Sequence, residues 1–460
     1  MKQRVTDATV GKPLGIILSM ALPLMAGNIF QNLYSVVDTA VVGRFLGINA
    51  LAAVGNTGWL LYMILSIIIG VTQGAGIHIA NRFGAKDIVS LRKAIAGLFT
   101  ISAVLCAAMT ALVQLSIRPV LLLLGFSPEI IGLSERYLRI YFAAIPIIVF
   151  YNALDAVMRS MGDTKTPFIA MITGALTNIV LDLLFIAVFG MGVAGAAAAS
   201  VIAQAASVIV CLPAAVRMRE YMPERSSFRD NAQTVRKELR LALPLALQHA
   251  VTAGGGLFVT HALNGYTVTF VAAFTATERL YGLMELSGMA VGYALSAFIS
   301  QNIGAGKYSR VRTGSRSAAI VAMGISLVIS SVLILFGRSV LSLFISNDDP
   351  AGFTATLDTA YRYLKIMCSW LPILYMLHIY RCALNGLADT VTPMLSGALE
   401  FCTRVFMTTA AVRLWSENAI LRTEPMAWLT AAVLLTTVYL FRQHRLPRTD
   451  AAVVSEPQDT

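Results

Sequence analysis

Two acidic residues, Asp38 and Asp182, lie in stretches that are otherwise almost free of charge. Asp182 follows Asn178 by four residues, so a helix would aim both side chains the same way. Two carboxylates buried together repel each other, and one bound proton or one Na⁺ would relieve that repulsion. We therefore interpret Asp38, Asp182 and Asn178 as an ion-coupling site. The alternative is that each acid is hydrogen-bonded separately near a helix end.

Asp38 belongs to a row of polar side chains at helical spacing. Steps of three and four residues place the row on one helix face, and its members are Asn28, Gln31, Asn32, Ser35, Asp38 and Thr39. Charged groups in a membrane-spanning helix cost roughly 2.5–3.5 kcal/mol on insertion scales, so they normally face protein or a water-filled cavity. We expect this face to line a cavity. Other polar residues, at spacings that suit shared faces, are Tyr137, Tyr141, Asn152, Asp155, Ser200 and Gln204.

The second half of the chain carries acids of a different kind. Glu400 precedes Arg404 by four residues, the favoured order for a helical ion pair, and Glu278 adjoins Arg279. Glu285 has no evident partner in the sequence, which makes it a candidate for binding a cation. With the adaptable side chain of Met284, and with Gln31 and Tyr34 of the first polar row, it completes the predicted substrate cavity.

The amino-acid composition indicates that these residues belong to a membrane protein. Of 460 residues, 57% are hydrophobic and 13% are charged, with a mean hydropathy of +0.73, whereas globular proteins have about 25% charged residues. Alternation of period two is absent, which favours helices over barrel strands. The sequence predicts an all-α membrane protein with twelve spans at 14–42, 50–78, 94–116, 136–160, 167–189, 193–216, 241–263, 268–300, 317–345, 363–386, 393–414 and 424–441. The first apolar stretch is too long for a signal peptide, so we expect it to be retained.

The basic residues behind the net charge of +11 are concentrated on one side of the predicted membrane topology. Of 35 basic residues, 23 fall in the termini and even-to-odd loops, at 2–12, 82–93, 159–165, 217–240, 307–316 and 442–448. An excess of Lys and Arg marks the cytoplasmic side. We expect a multi-pass protein of the plasma (inner) membrane, with both termini in the cytoplasm, membrane lipids as neighbours and no nucleic-acid partner.

The chain repeats itself. Ala21–Leu24 returns at Ala242–Leu245, the segment 81–86 has a counterpart at 301–307, and the segment 162–167 has one at 388–393. Six spans per copy give parallel halves, whose interface commonly holds a transport pathway. We predict an N-terminal lobe at 1–216, a cytoplasmic linker at 217–240 and a C-terminal lobe with its tail at 241–460.

Several chemistries lack their sequence motifs. There is no G-x-x-x-x-G-K-[ST] for ATP, no H-E-x-x-H, no paired CxxC and no G-x-S-x-G. Five cysteines in apolar runs show no metal spacing. We expect no enzyme activity, no cofactor and no metal centre, apart from Na⁺ at Asp38 and Asp182 if Na⁺ is the coupling ion. An ion gradient is then the remaining energy source.

These motifs together resemble the multidrug and toxic compound extrusion (MATE) family. The resemblance is carried by Pro23, the triplet 37–39, Leu51–Gly55, Phe83–Asp87 and the repeated Asp-Thr-x-Thr-Pro turns. It implies export of lipophilic, mostly cationic drugs or toxic metabolites in exchange for H⁺ or Na⁺, by alternating access of one monomer. The first-half acids are similar to those of the family's DinF-like branch, which implies supporting roles for Tyr137, Asn152 and Ser200. To this supporting network we add Asn32 and Ser35, from the polar row that contains Asp38.

Other functions stay open at this stage. A lipid-linked oligosaccharide flippase of the same superfamily would be expected to show extra spans and clustered cations, whereas Arg279, Arg381 and Arg404 are scattered in the sequence. A channel or membrane receptor is disfavoured by the two-fold repeat. The sequence does not decide the substrate, the coupling ion or the oligomeric state, nor whether Glu278, Glu285 and Glu400 take part in transport.

Overall fold

The computed structural model describes residues 6–450, except 264, 346–349 and 416, and that part of the chain is built from helices. The N-terminal half contains α1 (Pro13–Leu46), α2 (Ile48–Gly84), α3 (Ile88–Leu123), α4 (Pro128–Ala143), α5 (Ile145–Ser160), α6 (Lys165–Asp182) with a π turn (Leu183–Val188), and α7 (Val193–Arg217). The C-terminal half contains α8 (Ala232–Leu263), α9 (Val268–Gly304), α10 (Tyr308–Leu341), α11 (Pro350–Gly386), α12 (Val391–Phe406) with a π turn (Met407–Ala411), the short α13 (Val412–Trp415) and α14 (Glu417–Ile420), and α15 (Thr423–Arg445).

The all-helical membrane fold is confirmed. Ten of the described helices are long and apolar enough to cross a membrane, and the number is eleven when the bent pair α4–α5 is counted as one span. The remaining predicted span, 393–414, corresponds to α12 and its π turn, where Glu400 and Arg404 interrupt the apolar sequence. Most helices extend beyond the predicted spans, because apolar residues define only the part of a helix that meets lipid.

The predicted fourth span is not one straight helix. It begins at Pro128 rather than at 136, and α4 and α5 meet at 49°. Pro146, at the start of α5, lacks a backbone N–H and crowds the preceding turn, which ends α4. The matching Pro372 lies inside the continuous helix α11. Proline at this repeated position therefore interrupts the helix in the N-terminal half, whereas the helix of the C-terminal half continues through it.

The two halves touch mainly where α2 crosses α8 and α9. An added Cβ on Gly70 would lie 2.6 Å from the Ala246 Cα, and one on Gly74 would lie 2.4 Å from the Ala242 Cα. These glycines therefore let two backbones approach as they do in tightly packed membrane helices. The first part of α1 also packs into the core of the C-terminal half, through Ile17 and Met20 among others.

The repeated turns of both halves meet at the end of the bundle that carries the basic loops. A Cβ on Gly84 would lie 1.9 Å from the Gln301 carbonyl oxygen, and one on Gly304 would lie 1.9 Å from the Asn81 carbonyl oxygen. Next to this contact, the Ser90 amide and side chain bond to Asp87 at the start of α3 and lower the pKa of Asp87. The reciprocal glycine contact closes the two halves at this end.

A methyl group at Gly84 should hold this end open, because the obstructing Gln301 atom is backbone. In Gly84→Ala, we expect a longer mean distance between spin labels at Val89 and Thr313, measured by pulsed electron paramagnetic resonance. Gly58→Ala is the matched control, since a Cβ at Gly58 on the same helix meets nothing within 4 Å. An unchanged distance distribution in Gly84→Ala would contradict this account of the closed end.

Candidate functional site

Asp38 and Asp182 come together in the N-terminal half. Asp38 and Asn178 line a cavity of about 200 Å³ between α1, α4, α6 and α7, which we call the carboxyl cavity. Asp182 is fully buried beside it, and its carboxyl group interacts directly with that of Asp38. The two acids are 144 positions apart in sequence, and helix packing places them within one polar site.

Three of the four carboxylate oxygens of this pair lack a hydrogen-bond donor among the described residues. Among the described residues, both carboxylate oxygens of Asp182 and Oδ1 of Asp38 are buried without a hydrogen-bond partner, as is Oδ1 of Asn178. Two carboxylate oxygens are both acceptors, so only a proton or another cation can link them. Buried polar groups that stay unpaired are costly. The arrangement can therefore take up one small cation.

Of the five predicted supporting residues, two line the carboxyl cavity. Tyr137 stacks on Tyr141 with ring centroids 6.2 Å apart, and Ser200 accepts a hydrogen bond of 3.4 Å from the Asn178 amide. Asn32 instead donates to the Asn28 carbonyl of its own helix, at 3.1 Å. The face of α1 that lines the cavity is Gln31, Tyr34 and Asp38.

The remaining two predicted supporting residues, Asn152 and Ser35, are not among the described lining of the carboxyl cavity. Asn152 donates to the Ile148 carbonyl at 2.8 Å and lines a different cavity, because the break before α5 turns its face away from that of Tyr137. The side chain of Ser35 lies outside the described residues. Sequence spacing treated α4 and α5 as one helix, which is why it grouped Asn152 with Tyr137.

Asp182 sits where α6 changes into a π turn. The α-helical bonding ends at Asp182, and Leu183–Val188 continues with wider π geometry. The C-terminal half has the same transition after α12, at Met407–Ala411, where Thr408 occupies the position that matches Asp182. Such π segments often occur at functional sites. Neither π turn was predicted from the sequence, because hydrophobic periodicity does not distinguish π from α geometry over five or six residues.

A second cavity of about 310 Å³ lies between the halves, and we call it the central cavity. It shares the lining residues Gln31, Tyr151 and Met171 with the carboxyl cavity, so the two adjoin. Asp155 on its wall pairs with Arg159, the two side chains lying 2.6 Å apart. Arg159 was grouped with the loop charges on sequence grounds, but it forms part of this wall.

The third cavity, of about 470 Å³, lies in the C-terminal half and is called the C-half cavity. Glu285 lines it, and its carboxylate oxygen is 3.1 Å from Nε2 of His378, a partner that sequence spacing could not identify. Met284 lines none of these three cavities. It is 3% exposed and packs in the hydrophobic core, because the next position along α9 points in a direction about 100° away.

The predicted Glu400–Arg404 pair is present and forms part of a larger network. The closest oxygen and nitrogen are 3.6 Å apart, while Arg381 also bonds to Glu400, and Glu424 bonds to Arg404. Glu278 accepts a hydrogen bond of 2.7 Å from the Tyr363 hydroxyl, rather than pairing with Arg279. Arg381 and Arg404, scattered in sequence, meet in one cavity.

Comparison with known proteins identifies the family. The MatE family model matches residues 23–184 and, separately, 244–408. The chain belongs to the MatE family. Its relatives include the probable multidrug resistance protein YpnP of Bacillus subtilis, which is 29% identical over 85% of each chain. An FAD transporter of Shewanella oneidensis is 27% identical over 88% of this chain and 89% of that protein.

Solved structures share the fold of this MatE protein. "Crystal structure of MATE in the bent conformation" superposes with a TM-score of 0.88 at 22% identity, covering 97% of this chain and 98% of the other. An outward-facing MATE family transporter also gives 0.88, at 22% identity, with 98% and 100% covered. The protein is thus a multi-pass membrane transporter of a multidrug efflux family, not an enzyme.

Proposed function

We propose that this MatE protein is a secondary antiporter. It exports lipophilic, mostly cationic small molecules in exchange for H⁺ or Na⁺, without a cofactor. The observation that carries the proposal is the direct contact of Asp38 with Asp182, whose buried oxygens lack donors among the described residues. A transported cation would neutralise the pair, and its release would restore the repulsion.

The neighbouring cavities support a link between ion and substrate. Gln31, Tyr151 and Met171 form a wall common to the carboxyl and central cavities. Only one layer of side chains therefore separates the acid pair from the central cavity, so a change in the charge of the pair alters the electrostatic potential in that cavity. Binding of the ion and of the substrate can then favour different conformations, which is the thermodynamic requirement for exchange.

The contacts between the halves support alternating access by a single chain. The halves are closed where Gly84 packs against Gln301 and Gly304 packs against Asn81, at the end that carries the basic loops. We place this end, and both termini, on the cytoplasmic side of the plasma membrane, because basic loops favour that side. The described conformation then corresponds to an outward-facing state. A monomer contains both halves and needs no second copy.

The test is transport by the purified full-length protein in proteoliposomes. Efflux of a fluorescent lipophilic cation is measured under an imposed pH gradient, an imposed Na⁺ gradient, or neither. Efflux driven by one gradient against the substrate gradient identifies antiport and the coupling ion, whereas only downhill flux would indicate a channel. Competition by FAD is included, since one relative is named an FAD transporter.

The flippase alternative receives little support from the charges. Arg381 and Arg404 both bond to carboxylates, so they do not form a free cationic cluster for a pyrophosphate. Competition by a lipid-linked oligosaccharide in the same assay separates the two functions. Inhibition by that lipid, without gradient-driven cation efflux, would favour the flippase.

The paired prolines are expected to assist the conformational change. Pro23 lies inside α1 and Pro244 inside α8, at matching positions of the two halves. Each removes one backbone hydrogen bond and lets its helix bend. Pro23→Ala and Pro244→Ala should each lower the efflux rate by about 5-fold.

Pro213→Ala provides the control for this prediction. Pro213 is also inside a helix, α7, but it has no counterpart in the repeat. Its replacement should leave the efflux rate near that of the unmodified protein. Normal efflux by both Pro23→Ala and Pro244→Ala, at equal expression, would show that bending at these sites is not needed.

A further inference from the structure

Glu238 is a buried acid between the two halves, and the proposed transport mechanism does not use it. It lies near the start of α8 in the C-terminal half, and its side chain contacts α2 and α3 of the N-terminal half. Glu238 is 0% exposed, and its Oε1 is 3.1 Å from Nδ1 of His78, which is 5% exposed. His78 precedes Gly84 by less than two turns of α2, so the pair lies at the closed end of the bundle.

Arg82 determines where His78 carries its proton. The Arg82 Nε donates a hydrogen bond of 3.3 Å to Nε2 of His78, so Nε2 is an acceptor without a hydrogen. The single ring proton is then on Nδ1, which donates it to Oε1 of Glu238. Protonation of Nε2 would break the bond from Arg82 and place two cations side by side. His78 is therefore neutral, and it gives Glu238 a hydrogen bond without a counter-charge.

The second oxygen of Glu238 has no donor in the described part of the chain. Oε2 is buried without a hydrogen-bond partner there, and a Cβ at Gly97 on α3 would overlap it. A carboxylate with one hydrogen bond and no ion pair is costly in such a place, because burial disfavours the charged form. One proton on Oε2 removes the charge and leaves the bond from His78 intact.

The basic neighbours of Glu238 do not replace this proton. Lys237 precedes it on α8 and is exposed, and Arg82 on α2 bonds to the far side of the imidazole. On α3, Lys93 lies one turn before Gly97. Among the described residues, His78 alone lies within salt-bridge distance of the Glu238 carboxyl group. Charges at exposed positions are weakened by water and salt.

The repeat shows that packing at this position does not need an acid. When the halves are aligned by their repeated segments, Glu238 corresponds to Ile17 on α1, and His78 corresponds to Phe298 on α9. Ile17 and Phe298 are both fully buried in one hydrophobic core. Apolar side chains in place of a buried ionic pair are often neutral or stabilising. The ionisable pair between α2 and α8 therefore calls for a role other than adhesion of the halves.

We propose that Glu238 is a proton-binding site of the closed end, separate from the Asp38–Asp182 pair. Glu238 holds the proton while α8 packs against α2 and α3, and it releases the proton to water when the halves separate at this end. Closure thus takes up one proton, and opening releases one to the side that carries the basic loops. That this side is the cytoplasm rests on the proposed topology, whereas the response to pH does not require antiport.

The direction of the response follows from the proton count. An exposed glutamic acid ionises near pH 4.3, so at neutral pH the open form has lost a proton that the closed form keeps. The form that binds more protons gains relative stability as the pH falls. Acid therefore favours the closed conformation, and a rise in pH favours opening. One proton changes the ratio of open to closed molecules by up to about 10-fold per pH unit.

Pulsed electron paramagnetic resonance on the purified full-length protein, with spin labels at Val89 and Thr313, measures this ratio. The parent for the measurement is Asp38→Asn/Asp182→Asn, so that the proposed coupling acids cannot contribute. We expect the longer-distance population to grow between about pH 6 and about pH 8, with the ratio changing by up to about 10-fold per unit. A ratio that is independent of pH, or that rises as the pH falls, would overturn the inference.

Variants in the same parent identify the titrating group. Glu238→Gln resembles the protonated acid but cannot release a proton, so its ratio should not depend on pH. The double variant His78→Phe/Glu238→Ile copies the apolar pair of the other half, should behave in the same way, and serves if Glu238→Gln fails to fold. Glu220→Gln, at an exposed acid of the linker, is the matched control and should keep the full response. A full response in Glu238→Gln or in the double variant would show that Glu238 is not the site.

His78→Gln distinguishes the two members of the pair. A glutamine amide can accept from Arg82 and donate to Glu238 as the neutral imidazole does, but it does not titrate. The response to pH should therefore persist in this variant. Its complete loss would assign the proton to His78 and overturn the assignment to Glu238.

This test and the transport test fail independently. The distance measurement uses no gradient and lacks both proposed coupling acids, so a missing pH response would refute the Glu238 site and leave antiport untouched. Conversely, a pH response at the closed end, together with no gradient-driven efflux by the unmodified protein, would refute antiport alone.

Discussion

Replacement of Asp38 by Asn should reduce gradient-driven efflux by about 10- to 100-fold, the usual range of a coupling between two sites. The substitution keeps the size of the side chain and removes its charge. The Asp38–Asp182 pair then loses the repulsion that an incoming cation relieves, so ion binding no longer biases the conformational change. Downhill movement of substrate should persist, because the central cavity is left intact.

The measurement is efflux from proteoliposomes under the gradient that drives the unmodified protein. Glu129→Gln is the control, because it removes one negative charge from an exposed position at the start of α4. That variant should transport normally. If Asp38→Asn, correctly folded and reconstituted in equal amount, also transports normally, Asp38 does not carry the coupling ion.

The second large effect concerns Asp38 and Asp182 together. If the two carboxyls form one unit, the double variant Asp38→Asn/Asp182→Asn should transport little worse than either single variant. Independent sites would multiply their losses, so two 10- to 100-fold defects would give a combined loss of about 100- to 10,000-fold. Groups that act as a unit are strongly non-additive. The direct contact of their carboxyl groups is the structural reason to expect this result.

A second pair of variants calibrates this comparison. The double variant Asp38→Asn/Glu285→Gln changes one residue of the carboxyl cavity and one residue of the C-half cavity. These two cavities share no lining residue. Where Glu285→Gln lowers efflux on its own, its loss and that of Asp38→Asn should multiply. If Asp38→Asn/Asp182→Asn behaves in the same multiplicative way, Asp182 is a structural acid with its own local role, and the coupling site reduces to Asp38.

Much of the fold follows from local sequence properties. Long apolar runs without period-two alternation fix the helical membrane fold, since every backbone polar group within lipid must bond inside its own helix. The repeated segments, Ala21–Leu24 with Ala242–Leu245 among them, indicate two similar halves. Helical periodicity also put Gln31 and Asp38 on one face of α1, and the structure finds both on the carboxyl cavity. Periodicity, however, assumes a continuous helix, so it failed for Asn152, beyond the break at Pro146.

Contacts between distant segments were decided by tertiary packing alone. Sequence spacing reveals partners three or four residues apart, as for Glu400 and Arg404. It contains no information on which helices become neighbours, so His378 beside Glu285 and Arg381 beside Glu400 could not be foreseen. Met284 and Glu285 show the same limit, since adjacent residues on α9 end in the core and on a cavity wall. A buried charge is stable only beside a group of opposite charge. Which group that is depends on which helices pack next to each other, and the sequence of one helix does not determine this.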